Sequence, residues 1–356
     1  MQDCTDPYQT ILQKAFDRNI PFKVLWELTH HCNLNCIHCY RVEEPRPELS
    51  TAQARDLIDC LAREGCLYIT FSGGEPLARE DFFQLAQYAR SRGFAIRLFT
   101  NGTLITPSVA RELRSLHPAS VEVSLYGVRR ATFERITRVD GSFDRVMEGL
   151  HLLRESRIKT VIKCPLMTIN FSERKSVEGL ARGLGAEVNF DTKMTPKNDG
   201  AKGPMAFQIT EEQLTEFLQE EDWVPLDQTE GLPPCNAGKT IATISPYGDV
   251  YPCVQLRLSV GNVQKKPLRK IWRESQILRN LRSITSDDLK DCTNCSYREY
   301  CFRCPGLAYL ETGDMLGKSS LACQEARIRA LLNASPSEIT RRFHEKETLR
   351  EAKVYL

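Results

Sequence analysis

From residue 22 to about 190 the chain alternates short runs rich in β-branched and aromatic residues with longer amphipathic runs, and this alternation limits its fold more than any other feature. Strand-like runs fall at 22–28, 68–72, 95–100, 120–125, 160–167 and 187–190. Helical patterns lie between them at 51–63, 81–92, 107–115, 142–155 and 173–184. Two of these carry start signals. Ser50 stands three residues before Gln53, the spacing of a capping box, and Pro107 follows Thr106. Six such units with short connections predict a parallel α/β sheet, because parallel strands need crossovers and helices supply them. Reactive groups in such sheets gather at the carboxyl ends of the strands. Six units fall short of the eight that close a barrel, so the expected architecture is an open, partial (β/α)6 barrel.

The expected organisation has five parts. Residues 1–20 form an N-terminal extension and 21–205 the partial, TIM-like barrel. Residues 206–234, rich in turn formers, make a connector with one amphipathic helix at 210–220. Residues 235–325 form a small cysteine-rich domain, with short strands at 241–245 and 249–254 and one helix near 268–281. A region this poor in continuous apolar pattern needs metal to hold its fold. Residues 326–356 read as a charged helical tail.

A formal net charge of +2 gives no electrostatic case for nucleic acid or a membrane surface. The first residues lack a signal peptide's pattern, and no apolar stretch approaches the length of a membrane span, so the cytoplasm is the expected location. Fourteen cysteines then become informative. In a reducing compartment, clustered cysteines at short spacing are metal ligands more often than disulfides. Cys32, Cys36 and Cys39 form one group; Cys235, Cys253, Cys292, Cys295, Cys301, Cys304 and Cys323 form another. Cys4, Cys60, Cys66 and Cys164 read as small buried apolar residues.

The first group has the spacing C-x3-C-x2-C and follows the first strand. Three thiolates can hold three irons of a four-iron, four-sulfur cluster, which leaves one iron free for chemistry. Companion motifs follow later strands: Phe71-Ser72-Gly73-Gly74-Glu75-Pro76, Thr100-Asn101-Gly102-Thr103 and Ser124-Leu125-Tyr126-Gly127. Singly, each suits an ordinary βα turn. Together, in this order, they closely resemble the radical S-adenosylmethionine (SAM) enzymes.

That resemblance implies that the free iron chelates SAM and that a reduced cluster cleaves it to a 5′-deoxyadenosyl radical. It also implies SAM contacts from Gly73, Gly74, Glu75, Asn101, Ser124 and Arg135. The glycines would let backbone approach the methionine amino group, a carboxylate or carbonyl would accept from it, and Arg135 would pair with the SAM carboxylate. His38 would pack near the adenine.

The second cysteine group, C-x12-G-x4-C and then C-x2-C-x5-C-x2-C with a final Cys323, resembles the SPASM extension of these enzymes. The extension implies two auxiliary clusters, expected to be [4Fe-4S]. By that likeness Cys292, Cys295, Cys301 and Cys323 close the distal one, while Cys235, Cys253 and Cys304 hold the proximal one. The CxxC pairs alone would also suit zinc knuckles. Two closed clusters need eight ligands and this region has seven, so the proximal cluster has an open iron, a non-cysteine ligand, or a distant cysteine such as Cys4 or Cys164.

Enzymes with this extension act mostly on peptides, and the likeness is to maturases of ribosomally made peptides (RiPP maturases) that form thioether or carbon–carbon crosslinks. It implies a peptide substrate, a reductant of the flavodoxin or ferredoxin kind, and leader recognition by a separate protein or by the tail, since a core strand beginning near residue 22 leaves no room for a leader domain. A radical SAM enzyme of tetrapyrroles in haem biosynthesis is the alternative, and an iron–sulfur carrier or scaffold is the alternative outside enzymes. Cys164, Tyr126, Lys163 and Asp191, each near a strand's carboxyl end, are the candidates for a catalytic base or radical donor.

Overall fold

The computed structural model of the protein describes residues 7–221 and 235–333. Its contacts divide these residues into two compact units. One comprises 7–209 and 235–284; the other comprises 210–221 and 285–333.

The first unit is built on one sheet. Strands β1 (Lys23–Thr29), β2 (Tyr68–Gly73), β3 (Ala95–Thr100), β4 (Ser120–Ser124), β5 (Thr160–Pro165) and β6 (Glu187–Asp191) pair in parallel, each with the next. Helices α1 (Pro7–Asp17), α2 (Thr51–Arg63), α3 (Phe82–Ser91), α4 (Pro107–Leu116), α5 (Arg130–Thr137), α6 (Ser142–Glu155) and α7 (Arg174–Leu184) precede or connect them. One face of the sheet buries Val24, Trp26, Ile69, Phe71, Ile96 and Leu98. Trp26, Phe71 and Phe82 form a continuous aromatic cluster, the first pair tilted and the second edge-to-face, with ring centroids 5.9 and 5.7 Å apart. The capping box at Ser50 is present, with Gln53 N donating to Ser50 Oγ at 3.3 Å and Ser50 N to Gln53 Oε1 at 2.9 Å.

The alternation therefore sets the sheet, but two features differ from expectation. The β4–β5 crossover contains α5 ahead of α6. At eight residues, with only Phe133 and Ile136 marking its apolar face, α5 is too short for a clear period. The second difference lies at residue 235, where a separate domain was expected to start. Instead β7 (Ile241–Ile244) pairs in parallel with β1, and β8 (Asp249–Tyr251) and β9 (Gly261–Asn262) extend the same sheet antiparallel. The strand order is β6-β5-β4-β3-β2-β1-β7-β8-β9. Ile241-Ala242-Thr243-Ile244 is a mostly buried run with three β-branched residues, which suits a covered parallel strand. The helix expected near 268–281 is two, α8 (Leu268–Glu274) and α9 (Gln276–Ser283). Ser275 is extended between them, at ψ 124°, and caps Leu278 N.

The second unit is small and mostly helical. It contains α10 (Glu211–Leu218), α11 (Lys290–Thr293), α12 (Pro305–Thr312) and α13 (Ser320–Leu332). Its buried apolar set is short: Leu214, Leu218, Leu289, Leu307, Ala308 and a few residues of α13. Polar ties join α10 to α13, with Arg327 to Glu211 at 2.7 Å and Gln324 to Glu211 at 3.0 Å. Cys4 and most of the expected tail lie outside the described residues.

Candidate active site

The Cys32–Cys39 loop leaves the carboxyl end of β1 and is held mainly through its backbone. Asn35 N donates to the Thr137 carbonyl at 3.1 Å and Ile37 N to the Ile136 carbonyl at 2.9 Å. These are carbonyls at the end of α5, which a helix terminus leaves without internal partners. At the loop's start, His30 N and Thr29 Oγ1 both donate to Glu48 Oε1, at 2.7 and 3.0 Å. Leu34 N points to Cys32 Sγ at 3.5 Å, and Cys39 N bonds to the Cys36 carbonyl. Burial, with the neighbouring Cys39 thiol, pushes Cys36 up to about 12. Arg41, which donates to the His30 carbonyl, lies beside the Cys39 and Cys32 thiols. Their proximity raises its affinity for its proton although burial opposes this.

The Gly73-Gly74-Glu75 turn presses against this loop. Gly74 N donates to the Thr29 carbonyl at 2.7 Å and Glu75 N to the His31 carbonyl at 2.8 Å. A Cβ on Gly74 would overlap the His31 carbonyl, and one on Gly73, where φ is +119°, would overlap that of Thr29. Both glycines are thus required by the close approach of two backbone segments. The Glu75 side chain is fully enclosed and accepts from Thr100 Oγ1 and Asn101 N at 2.7 Å and from Leu77 N at 3.1 Å. Burial pushes its carboxyl up to about 7 despite these donors. It ties the end of β2 to the end of β3, with the whole side chain taken up by protein.

Asn101 also faces the loop. Its Nδ2 donates to Asn33 Oδ1 at 2.8 Å and points to Cys32 Sγ at 3.8 Å, while its Oδ1 accepts from Thr103. Tyr126 is buried, with its hydroxyl 3.9 Å from Cys36 Sγ and its ring stacked on Phe133. His38 meets the Tyr126 ring edge-on at 4.7 Å, and burial pushes its imidazole down to about 4. Its Nδ1 is buried with no hydrogen-bond partner. Ser124 is half-buried and Arg135 is exposed on α5.

Of the other candidates, Lys163 is half-buried, 3.6 Å from Glu122, and Asp191 is exposed. Cys164 does not join the group. It shares the buried face of β5 with Thr160 and Ile162, and burial pushes it up to about 12. Alternate strand residues face opposite sides, so Lys163 and Cys164 cannot both line one site.

The sequence reading missed Glu27, Tyr40 and Arg257. Burial would raise the Glu27 carboxyl, but His30 and the Arg257 guanidinium outweigh it and hold it near 2. A lone acidic residue inside the apolar run Val24-Leu25-Trp26-Glu27-Leu28 was the available signal.

The second cysteine group divides. In the second unit the Cys323, Cys292 and Cys295 thiols stand close enough to Cys301 to add to the burial that pushes it up to about 12. In the first unit the turn after Cys235 is tied to the Cys253 segment, Gly238 N donating to the Pro252 carbonyl at 3.0 Å, and Cys253 Sγ accepts from Leu256 N at 3.2 Å. Cys304, expected to join that pair, precedes α12 in the second unit. Among the described residues no three His, Cys, Asp or Glu side chains converge on the position of a single ion.

The fold and the loop define a class. Residues 26–180 match the radical SAM superfamily and residues 235–305 match SPASM, an iron–sulfur cluster-binding domain. The chain is 30% identical over 333 residues to the AdoMet-dependent heme synthase of Methanosarcina barkeri, covering 84% of this chain and 95% of that protein. It is likewise 30% identical over 326 residues to the mycofactocin maturase MftC of Mycobacterium tuberculosis, covering 83% and 81%. Its fold resembles that of Streptococcus suis SuiB bound to the precursor peptide SuiA, with a TM-score of 0.66 over 90% of this chain and 82% of that one, at 16% identity. The chain belongs to the radical SAM superfamily and carries a SPASM domain. It is an enzyme whose radical SAM domain binds SAM and a [4Fe-4S] cluster and whose SPASM domain binds iron–sulfur. No helix among the described residues is long and apolar enough to cross a membrane.

Proposed function

We propose that this enzyme is a peptide maturase in which Cys32, Cys36 and Cys39 hold the cluster that binds SAM. The observation that carries the cluster assignment is the seating of these three thiols at the end of β1, on a loop whose amides are fixed by the carbonyls of Ile136 and Thr137. The orphaned Nδ1 of His38, whose ring meets Tyr126, and the half-buried Ser124, which also bonds to Tyr126, fit a polar ligand there. When bound, cluster and SAM supply one-electron cleavage to methionine and a 5′-deoxyadenosyl radical, which takes hydrogen from the substrate. The chain's own residues position and shield. Gly73 and Gly74 bring main chain against the loop, Ser124 offers a hydroxyl, and Arg135 offers a guanidinium for the SAM carboxylate. Glu75 and Asn101 act through the loop they brace rather than through free polar atoms. Tyr126 shields Cys36. Cys292, Cys295, Cys301 and Cys323 hold one auxiliary cluster, and Cys235 and Cys253 are ligands of a second.

The likeness to mycofactocin maturase supports a peptide substrate. So does the edge strand β6, whose alternate residues Glu187, Asn189 and Asp191 are exposed on a sheet that stays unclosed, since an extended chain can enter from that side. Hydrogen loss from two sites of the peptide would give a thioether or carbon–carbon crosslink. In this reading the enzyme works in the cytoplasm with a flavodoxin- or ferredoxin-type reductant and a separate leader-binding protein.

One observation favours a tetrapyrrole substrate instead: the heme synthase likeness spans nearly all of that relative. Anaerobic reconstitution tests the cluster assignment, with about twelve irons per chain and 5′-deoxyadenosine release on adding SAM and reductant. Four irons with zinc present, and no release, would sink it. Mass spectrometry then separates the substrates. A peptide encoded beside the gene should lose two hydrogens; modification of an added tetrapyrrole in its place would overturn the peptide reading.

A further inference from the structure

Glu27 lies in β1, five residues before Cys32, and none of it is exposed. Three segments converge on its carboxylate. Tyr40, next to Cys39, donates its hydroxyl to Oε1 at 3.1 Å. Arg257, four residues after Cys253, donates from Nη1 to Oε2 at 2.8 Å and from Nη2 to Oε1. His30 Nε2 stands 3.5 Å from Oε2. The Arg257 Nε then donates to the Val254 carbonyl at 3.1 Å, on the residue directly after Cys253. Between Cys39 and Cys253 there are therefore four hydrogen bonds: one from Tyr40 to Glu27, two from Arg257 to Glu27, and one from Arg257 to Val254.

Packing does not account for this charge. Trp26 and Leu28 on either side are themselves buried, and an apolar residue of similar volume usually serves a core as well as a buried ion pair. With Glu27 enclosed, His30 buried and the Arg257 side chain 13% exposed, water cannot replace a partner that moves away. Removing one member of such a group leaves a buried charge uncompensated, so its members hold position together or not at all.

We propose that Glu27 is a positioning residue that locks the segment after Cys39 to the segment carrying Cys253, so that filling one cysteine site fixes the geometry of the other. The proposal rests on the ligand roles given above for Cys32, Cys36, Cys39 and Cys253.

A double-mutant cycle tests it. Wild type, E27Q, C235A/C253A and the combined variant are reconstituted anaerobically. SAM dissociation constants are measured by equilibrium dialysis, and the spectrum of the reduced first cluster is recorded by electron paramagnetic resonance with and without SAM. In the wild-type background, losing Cys235 and Cys253 should weaken SAM binding about tenfold and shift the SAM-bound spectrum. In the E27Q background the same loss should change binding less than about twofold. Y40F, which removes only the phenolic donor and leaves both Arg257 bonds to Glu27, gives a second reading if E27Q folds poorly, and it should reduce the coupling below the wild-type value. Equal weakening in both backgrounds, or none in wild type, overturns the proposal and makes the pair a plain structural staple. Wild type that binds no SAM would instead overturn the cluster assignment.

Discussion

The two cysteine-rich regions are shaped in opposite ways. The Cys32–Cys39 loop takes its form from protein: α5 carbonyls, Glu48, the glycine turn and Asn101 all hold it. Behind it stands a sheet whose core includes Trp26, Phe71 and Phe82. The Cys292–Cys323 region has a handful of small apolar residues, leaves Phe302 47% exposed, and brings four thiols together. There, metal must shape the chain. A site that positions a reactive ligand needs a rigid frame, whereas a site that only closes on its own cluster can borrow rigidity from the metal.

The largest expected effect separates these two cases directly. Removing iron with a chelator should abolish hydrogen-exchange protection across 285–333 while leaving β1–β5 protected. Structural metal can supply on the order of 10 kcal/mol to a small domain. Equal loss of protection in both regions, or in neither, would break the contrast.

A smaller effect tests the frame itself. In G74A the added methyl group meets the His31 carbonyl, and two backbones cannot yield as a flexible side chain would. Overpacking of this kind should cost about 3 kcal/mol in urea unfolding and lower iron content by about four per chain, although all three cysteines remain. A variant that keeps its full iron would show that the turn does not shape the loop.

The smallest effect is a pH dependence, set by two buried glutamates with opposite shifts. Glu75 is raised from 4.5 to about 7, so its favourable contribution is complete below about 4.5 and is lost as pH rises through 7. Glu27 is lowered to about 2, so its contribution is present above 4.5 and fades as pH falls toward 2. Metal-free wild type should therefore lose stability relative to E75Q between pH 5 and pH 8. Parallel stability curves would mean that Glu75 keeps an ordinary carboxyl.

Much of this was written in local pattern. Strand and helix periods fixed β1–β6 to within a residue or two, because burial on one face repeats at the period of the element itself. The cysteine spacing singled out the Cys32–Cys39 loop for a similar reason, since ligands of one cluster must come from chain segments that reach it. Short α5 escaped notice, and with it the carbonyls that hold the loop. For Glu75 the motif showed a carboxylate beside glycines, but its burial among three protein donors was invisible there.

The sequence by itself determined a parallel α/β core, a three-thiol loop at the end of its first strand and a second, distant group of cysteines. Only the tertiary structure decided that 235–284 completes the same sheet, and that Glu27 meets an arginine 230 residues away. Periodicity records which face of an element is buried, but not which distant element buries it. That choice is made by packing and by the cost of leaving a buried charge alone.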